Sequence, residues 1–134
     1  YLHFWGAALT DWSQIETPTL NGQRAFQGML IDHMRFQNDS LLECFKAEAA
    51  ILRETTPHIP VTTNLMGTNR CLDYHSWARE MDIVSWDCYP EKNAPPSHIA
   101  FHHSVMRGLK EGQSWMLMEQ TPSQQNWQAH NALK

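Results

Sequence analysis

Ile83-Val84-Ser85-Trp86-Asp87-Cys88-Tyr89-Pro90 is the stretch on which the fold class of this chain turns. Its first four residues are β-branched or aromatic except for one serine, and Tyr89-Pro90 closes the run, so it reads as a strand. Before it, Leu72 to Met81 has a helical period that places Leu72, Trp77 and Met81 on one face. Before that helix, Ile59-Pro60-Val61-Thr62-Thr63-Asn64-Leu65, closed by Gly67, reads as another strand. After Pro90, Ser97 caps a predicted helix carrying Ile99, His102, Val105, Met106 and Leu109, with Gly112 as its stop. Ser114-Trp115-Met116-Leu117-Met118 is a third strand, closed by Thr121-Pro122-Ser123. Upstream, Ser40 and Glu43 form a capping box, and Leu41, Leu42, Phe45, Ala49 and Leu52 trace an apolar face. That pattern predicts a helix over 40–55, ended by Pro57. Phe26, Leu30, His33 and Met34 predict a separate helix over 23–35.

Helices alternating with strands imply a parallel sheet, because parallel neighbours need crossover connections. Strand starts near 60, 82 and 114 give a repeat close to the roughly 30 residues of one unit in a (β/α)8 TIM barrel. A whole barrel needs about 250 residues and this chain has 134, so the expected architecture is α/β, a partial (β/α)8 barrel.

Composition narrows the function classes. Ten Lys+Arg against 14 Asp+Glu give a formal charge of −4, with no basic run, which argues against nucleic acid and membrane surfaces as partners. At 42% hydrophobic and 18% charged residues, the chain has the make-up of a folded domain. Cys44, Cys71 and Cys88 contain no CxxC pair and are odd in number. This fits neither a disulfide framework nor a zinc site, and points to a reducing, cytoplasmic compartment. No leader or long apolar segment is visible. No GxGxxG, GxxxxGK[ST] or GxSxG turn follows any strand.

In parallel α/β folds, chemistry gathers past the carboxyl ends of the strands. Glu119 ends the apolar run Trp115-Met116-Leu117-Met118, where a carboxylate is costly unless paired or used. It reads either as a functional carboxylate or as a strand-end group bonded to neighbouring backbone. Gln120, Thr121, Ser123, Gln124, Gln125, Asn126 and Trp127 follow it, a neutral hydrogen-bonding loop with an aromatic ring that suits sugars. Asp87 and Tyr89 occupy the matching place on the preceding strand and read as functional groups or as turn chemistry before Pro90. Asn64 reads as a turn former beside Gly67. His98 and His102 have the i, i+4 spacing of a metal pair and His103 adjoins them, but no HExxH glutamate accompanies them. Their helix is expected outside the barrel, far from the strand ends. Trp77 and Trp115 fit core positions, whereas Trp127 lies in a loop.

Ser114 through Trp127 closely resembles the nucleophile segment of glycoside hydrolase family 42 β-galactosidases. Ser40-Leu41-Leu42-Glu43-Cys44-Phe45-Lys46, Pro60 through Gly67, and Val84-Ser85-Trp86-Asp87 through Tyr89-Pro90 are similar to the same family in order and spacing. Trp5 to Ile15, with Asp11-Trp12, matches more loosely. The resemblance implies a retaining β-galactosidase barrel acting on terminal β-D-galactosyl groups. In it Glu119 is the nucleophile, Tyr89 contacts the galactose subsite and Trp127 forms a wall of that subsite. Strands at 60–66, 82–87 and 114–119 would be the fifth, sixth and seventh, making 1–134 an internal fragment of one catalytic barrel domain. The family's acid/base glutamate follows an asparagine on the fourth strand, and no Asn-Glu dipeptide occurs here, so this piece alone is expected to be inactive. No cofactor is implied, since the zinc-binding cysteines of some members also fall upstream. The parent is expected to be a homo-oligomer. Asn69-Arg70-Cys71 and Cys88 depart from the family pattern near the rim. Two rival readings remain, a non-catalytic carbohydrate-binding barrel protein and a related retaining β-glycosidase of different sugar specificity.

Overall fold

The computed structural model describes residues 10–18 and 27–120. A single 3-10 turn, Trp12–Gln14, is capped by the Asp11 carboxylate, which accepts from Ser13 N at 2.8 Å. A long helix, α1 (Gln27–Thr55), precedes the sheet. Three strands, β1 (Asn64–Leu65), β2 (Ser85–Cys88) and β3 (Met116–Gln120), then lie side by side in that order, both pairs parallel. The crossovers are helices, α2 (Tyr74–Glu80) between β1 and β2 and α3 (Pro96–Gly108) between β2 and β3. The α/β alternation and parallel sheet are those expected from the sequence.

The 40–55 segment is not a separate helix. Asp39 and Ser40 lie exposed within the continuous α1 rather than at a helix start. The reason is tertiary: Asn38 is buried, and its Oδ1 accepts from Asp73 N at 2.8 Å and from Trp77 Nε1 at 3.0 Å. Those bonds from α2 hold the helix through the point where local chemistry would let it begin. The buried stripe is Asn38, Leu42, Phe45 and Ala49, while Leu41 and Leu52 face outward. Thr55 ends the helix before Pro57, as expected.

The first strand is shorter than its apolar run. Only Asn64 and Leu65 pair with β2. The approach is tied by one backbone bond, Asp82 N to Val61 O at 2.9 Å, and by side chains: Val61 N donates to Asp82 Oδ2 at 2.7 Å, and Thr62 Oγ1 donates to Ile83 O at 2.5 Å. Pro60 has no N–H to give to a ladder. In α3 the start also differs, because Pro95 is the N-cap and Pro96 the first helical residue, so Ser97 caps nothing. The helix stops at Gly108, and Gly112 serves the following turn at φ +83°.

One apolar cluster sits between the helices and one face of the sheet. Phe45 and Ala49 from α1, Trp77 and Ala78 from α2, and Met106 from α3 pack on Leu65, Val84, Trp86 and Cys88. Fully burying a side chain of this size stabilises by about 1.5–3 kcal/mol. Side chains alternate along a strand, so with Leu65, Trp86 and Cys88 turned to the helices, Asn64, Ser85 and Asp87 take the other face. The sheet is therefore greasy on one side and polar on the other.

Candidate active site

Asp87, Glu119, Tyr89 and Asn64 meet at the carboxyl ends of the three strands. Cα pairing sets Asn64 against Ser85 and Asp87 against Glu119, so these groups share the polar face. Glu119 reaches that face through an irregularity in the ladder. Leu117 pairs with Trp86 and Glu119 with Asp87, which leaves Met118 as an extra residue on β3. Trp115 and Leu117 pack on the helix side, and plain alternation would send Glu119 after them. The bulge reverses this and turns its carboxylate toward Asp87 and Tyr89, the re-aiming that bulges commonly perform.

Side-chain hydrogen bonds link the four residues as two pairs. Asn64 Nδ2 donates to Asp87 Oδ2 at 2.5 Å. The Tyr89 hydroxyl donates to Glu119 Oε2. Asp87 is buried at 6% exposure whereas Glu119 is exposed. Burial pushes the Asp87 carboxyl above its ordinary value of 3.8, the Asn64 bond opposes that, the Glu119 charge adds to it, and the Glu119 backbone N–H opposes it again. The Tyr89 phenol is pushed up to about 12, first by its bond to Glu119 and then by partial desolvation.

Of the three residues singled out from the sequence, the structure brings Glu119 and Tyr89 into contact, and Trp127 lies outside the described residues. Asp87 belongs to β2 and not to a turn, and Glu119 bonds a phenol where neighbouring backbone was the bland alternative. Asn64 is no mere turn former, since it braces Asp87. Its place at the carboxyl end of a predicted parallel strand was the available signal for it.

The histidines also need correction. Although α3 packs on the helix side, it is not far from the strand ends. His102 is buried, stacks on Trp86 with centroids 5.3 Å apart, and shares a hydrogen bond with Thr68 Oγ1 at 3.3 Å. Gly67, at φ +79°, turns the chain out of β1 directly above that ring. A cleft of about 370 Å³ runs past Thr68, Trp86, Asp87, Tyr89, His98 and His102. The His102 Nδ1 is engaged with the His98 carbonyl at 2.8 Å. Among the described residues no group of three or more His, Cys, Asp or Glu is placed to hold a metal ion, and no helix is long and apolar enough to cross a membrane.

A carboxylate held by a phenol beside a second, buried carboxylate at strand ends suits attack on an electron-poor carbon. A family model described as β-galactosidase, that of glycoside hydrolase family 42, matches residues 1–134. β-Galactosidase BgaP of a Planococcus species is 53% identical, and the match covers 98% of this chain but 20% of that protein. BgaA of another Planococcus strain is 51% identical over the same shares. The crystal structure of a β-galactosidase from Bacillus circulans sp. alkalophilus superposes with a TM-score of 0.84 at 50% identity, covering 98% of this chain and 20% of its own. That of a Rahnella β-galactosidase gives a TM-score of 0.87 at 36% identity, covering 99% of this chain and 20% of its own. The chain thus spans about a fifth of the length of the curated relatives it matches. With the model match running from the first residue to the last, the chain belongs to the glycoside hydrolase family 42 β-galactosidase family.

Proposed function

We propose that this chain is the nucleophile-bearing part of a retaining β-galactosidase, an internal segment of a longer catalytic domain. Its strands β1, β2 and β3 correspond in this reading to the fifth, sixth and seventh of a (β/α)8 barrel. The observation that carries the proposal is Glu119, turned by the ladder bulge onto the polar face and bonded there by Tyr89.

Retaining hydrolysis uses two carboxyl groups about 5–5.5 Å apart. Glu119 attacks the anomeric carbon, a carbon–oxygen ester bond forms, and the glycosidic bond breaks. The leaving oxygen takes a proton from a carboxylic acid supplied by a part of the enzyme outside this chain. Water then attacks the same carbon, gives its proton to that acid/base group, and frees Glu119 with net retention. Tyr89 keeps Glu119 aimed and, as a phenol held neutral, stays a donor. Trp127, beyond the described residues, is assigned to a wall of the galactose subsite.

Glu119→Gln and Glu119→Gly in the full-length enzyme test the reading. Both should abolish hydrolysis of an aryl β-galactoside, and azide should partly restore the Gly variant by attacking from the vacated side. Wild-type turnover in either variant removes Glu119 from this role.

A further inference from the structure

Asp87 is a carboxylate in a place where stability alone does not call for one. It is 6% exposed, and Asn64 Nδ2 bonds its Oδ2 at 2.5 Å. Its Oδ1 is buried without a hydrogen-bond partner. Among the described residues the three ion pairs lie elsewhere. The Asn64 amide and the Glu119 backbone stabilise the charge only in part, since burial still outweighs them, and a buried carboxylate without a cation is costly. An asparagine of the same shape could accept the Asn64 bond without that cost. The charge therefore has a use.

We propose that Asp87, braced by Asn64, is an electrostatic positioning residue whose negative charge lies behind the reacting centre and favours the oxocarbenium-like charge that develops at the anomeric carbon. This rests on the reading of Glu119 as the nucleophile. The register supports it, since Asp87 is the Cα partner of Glu119 on the adjacent strand, and strands lie about 4.8 Å apart. A fixed charge of this kind acts strongly where water is excluded, and it needs no reorganisation when the bond breaks. The groups facing Asp87 are the uncharged Asn64 from β1, Glu119 from β3 and Tyr89 of its own strand, while His98 and His102 of α3 line the same cleft from the helix side. Burial holds the carboxyl above its ordinary value, so on acidification this charge is lost earlier than that of a solvent-exposed aspartate.

The test is Asp87→Asn in the full-length enzyme, assayed on aryl β-galactosides with good and poor leaving groups. We expect kcat to fall about 10–100-fold for both classes, with KM within about threefold. The part of the acid limb of kcat that Asp87 carries should vanish, and the thermal midpoint should stay close to wild type. A merely structural role would lower the amount of folded enzyme and leave the pH profile of the remainder unchanged. Asn64→Ala is the second variant: it keeps the charge and removes the brace, and should lower kcat about 3–10-fold. Wild-type kcat in Asp87→Asn, or a loss confined to KM, overturns the proposal. If Asp87→Asn does not fold, wild-type kcat in Asn64→Ala overturns it. Activity in Glu119→Gln would sink the underlying assignment. Inactive Glu119→Gln beside fully active Asp87→Asn would sink this inference alone.

Discussion

Replacing Glu119 with Gln should make the Tyr89 proton easier to remove, and the direction follows from the geometry. The phenol donates to Glu119 Oε2, and that bond, then desolvation, then the nearby carboxylate charges raise it from 10.0 to about 12. At a pH one unit above 10.0, an ordinary tyrosine is about nine-tenths ionised and one at about 12 is about one-tenth ionised. A neutral amide at position 119 still accepts a hydrogen bond but no longer repels the phenolate. Tyr89 should therefore fall part of the way back toward its ordinary value, with desolvation and the Asp87 charge still holding it up. Tyrosine labelled at the ring carbon bearing oxygen reports this directly by NMR, with Tyr89→Phe identifying the resonance. The same Tyr89→Phe variant should lose about 10-fold in kcat/KM, less than the 10²–10³ that a fully buried donor commands, because Glu119 is exposed. A Tyr89 signal that titrates near 10 in the wild type, or does not move when Glu119 is neutralised, refutes the pairing and the positioning argument built on it.

Two further outcomes test the scaffold beneath the site. Asn38→Ala leaves the Trp77 indole N–H buried without its acceptor and frees Asp73 N, so the full-length protein should lose about 2–3 kcal/mol, read as a lower urea midpoint; an unchanged midpoint would show that the long helix does not depend on this clasp. Asp82 accepts from Val61 N and Arg53, and the Val61 bond chiefly holds its carboxyl below 3.8. A group depressed in this way contributes stability that is present above 3.8 and lost as the pH falls through its folded value. Asp82→Ala should thus destabilise by about 1 kcal/mol at neutral pH, since the side chain is partly exposed. The gap to wild type should close in acid, and a gap of constant size at all pH values would contradict the assignment.

What could be read from the sequence is what depends on neighbours along the chain. Trp77 and Met81 recur at helical spacing and are buried, and the helix–strand alternation forces the parallel order that the sheet shows. What could not be read depends on partners far away in sequence. Ser40 and Glu43 satisfy every local rule for a helix start, yet Asn38 is claimed by residues 35 and 39 positions later, and the helix runs on. Asn64 looks like a turn because its partner lies 23 residues downstream. The bulge at Met118 is equally silent, for nothing in Trp115-Met116-Leu117-Met118-Glu119 shows that one residue drops out of the ladder. The position of Glu119 could be named, but not the face on which it would stand.

That face is the crux of how this sheet makes a site. Its helix side obeys the ordinary rule, with Leu65, Trp86 and Cys88 buried in one cluster. Its other side breaks the rule in one place, the carboxyl end, where a buried aspartate, its amide brace and an exposed glutamate converge. Local rules are broken most often where function is built, because the instability is tolerated only when something offsets it. Here the apolar face supplies the offset: the packing of Trp86 on His102 and of Leu65 beside it fixes β1 and β2, and therefore fixes Asn64 and Asp87 on the reverse. The same backbone that buries a tryptophan on one side presents a carboxylate on the other, one residue along. A perturbation of the core under Trp86 should consequently be felt as a loss of aim at Glu119 before it is felt as unfolding.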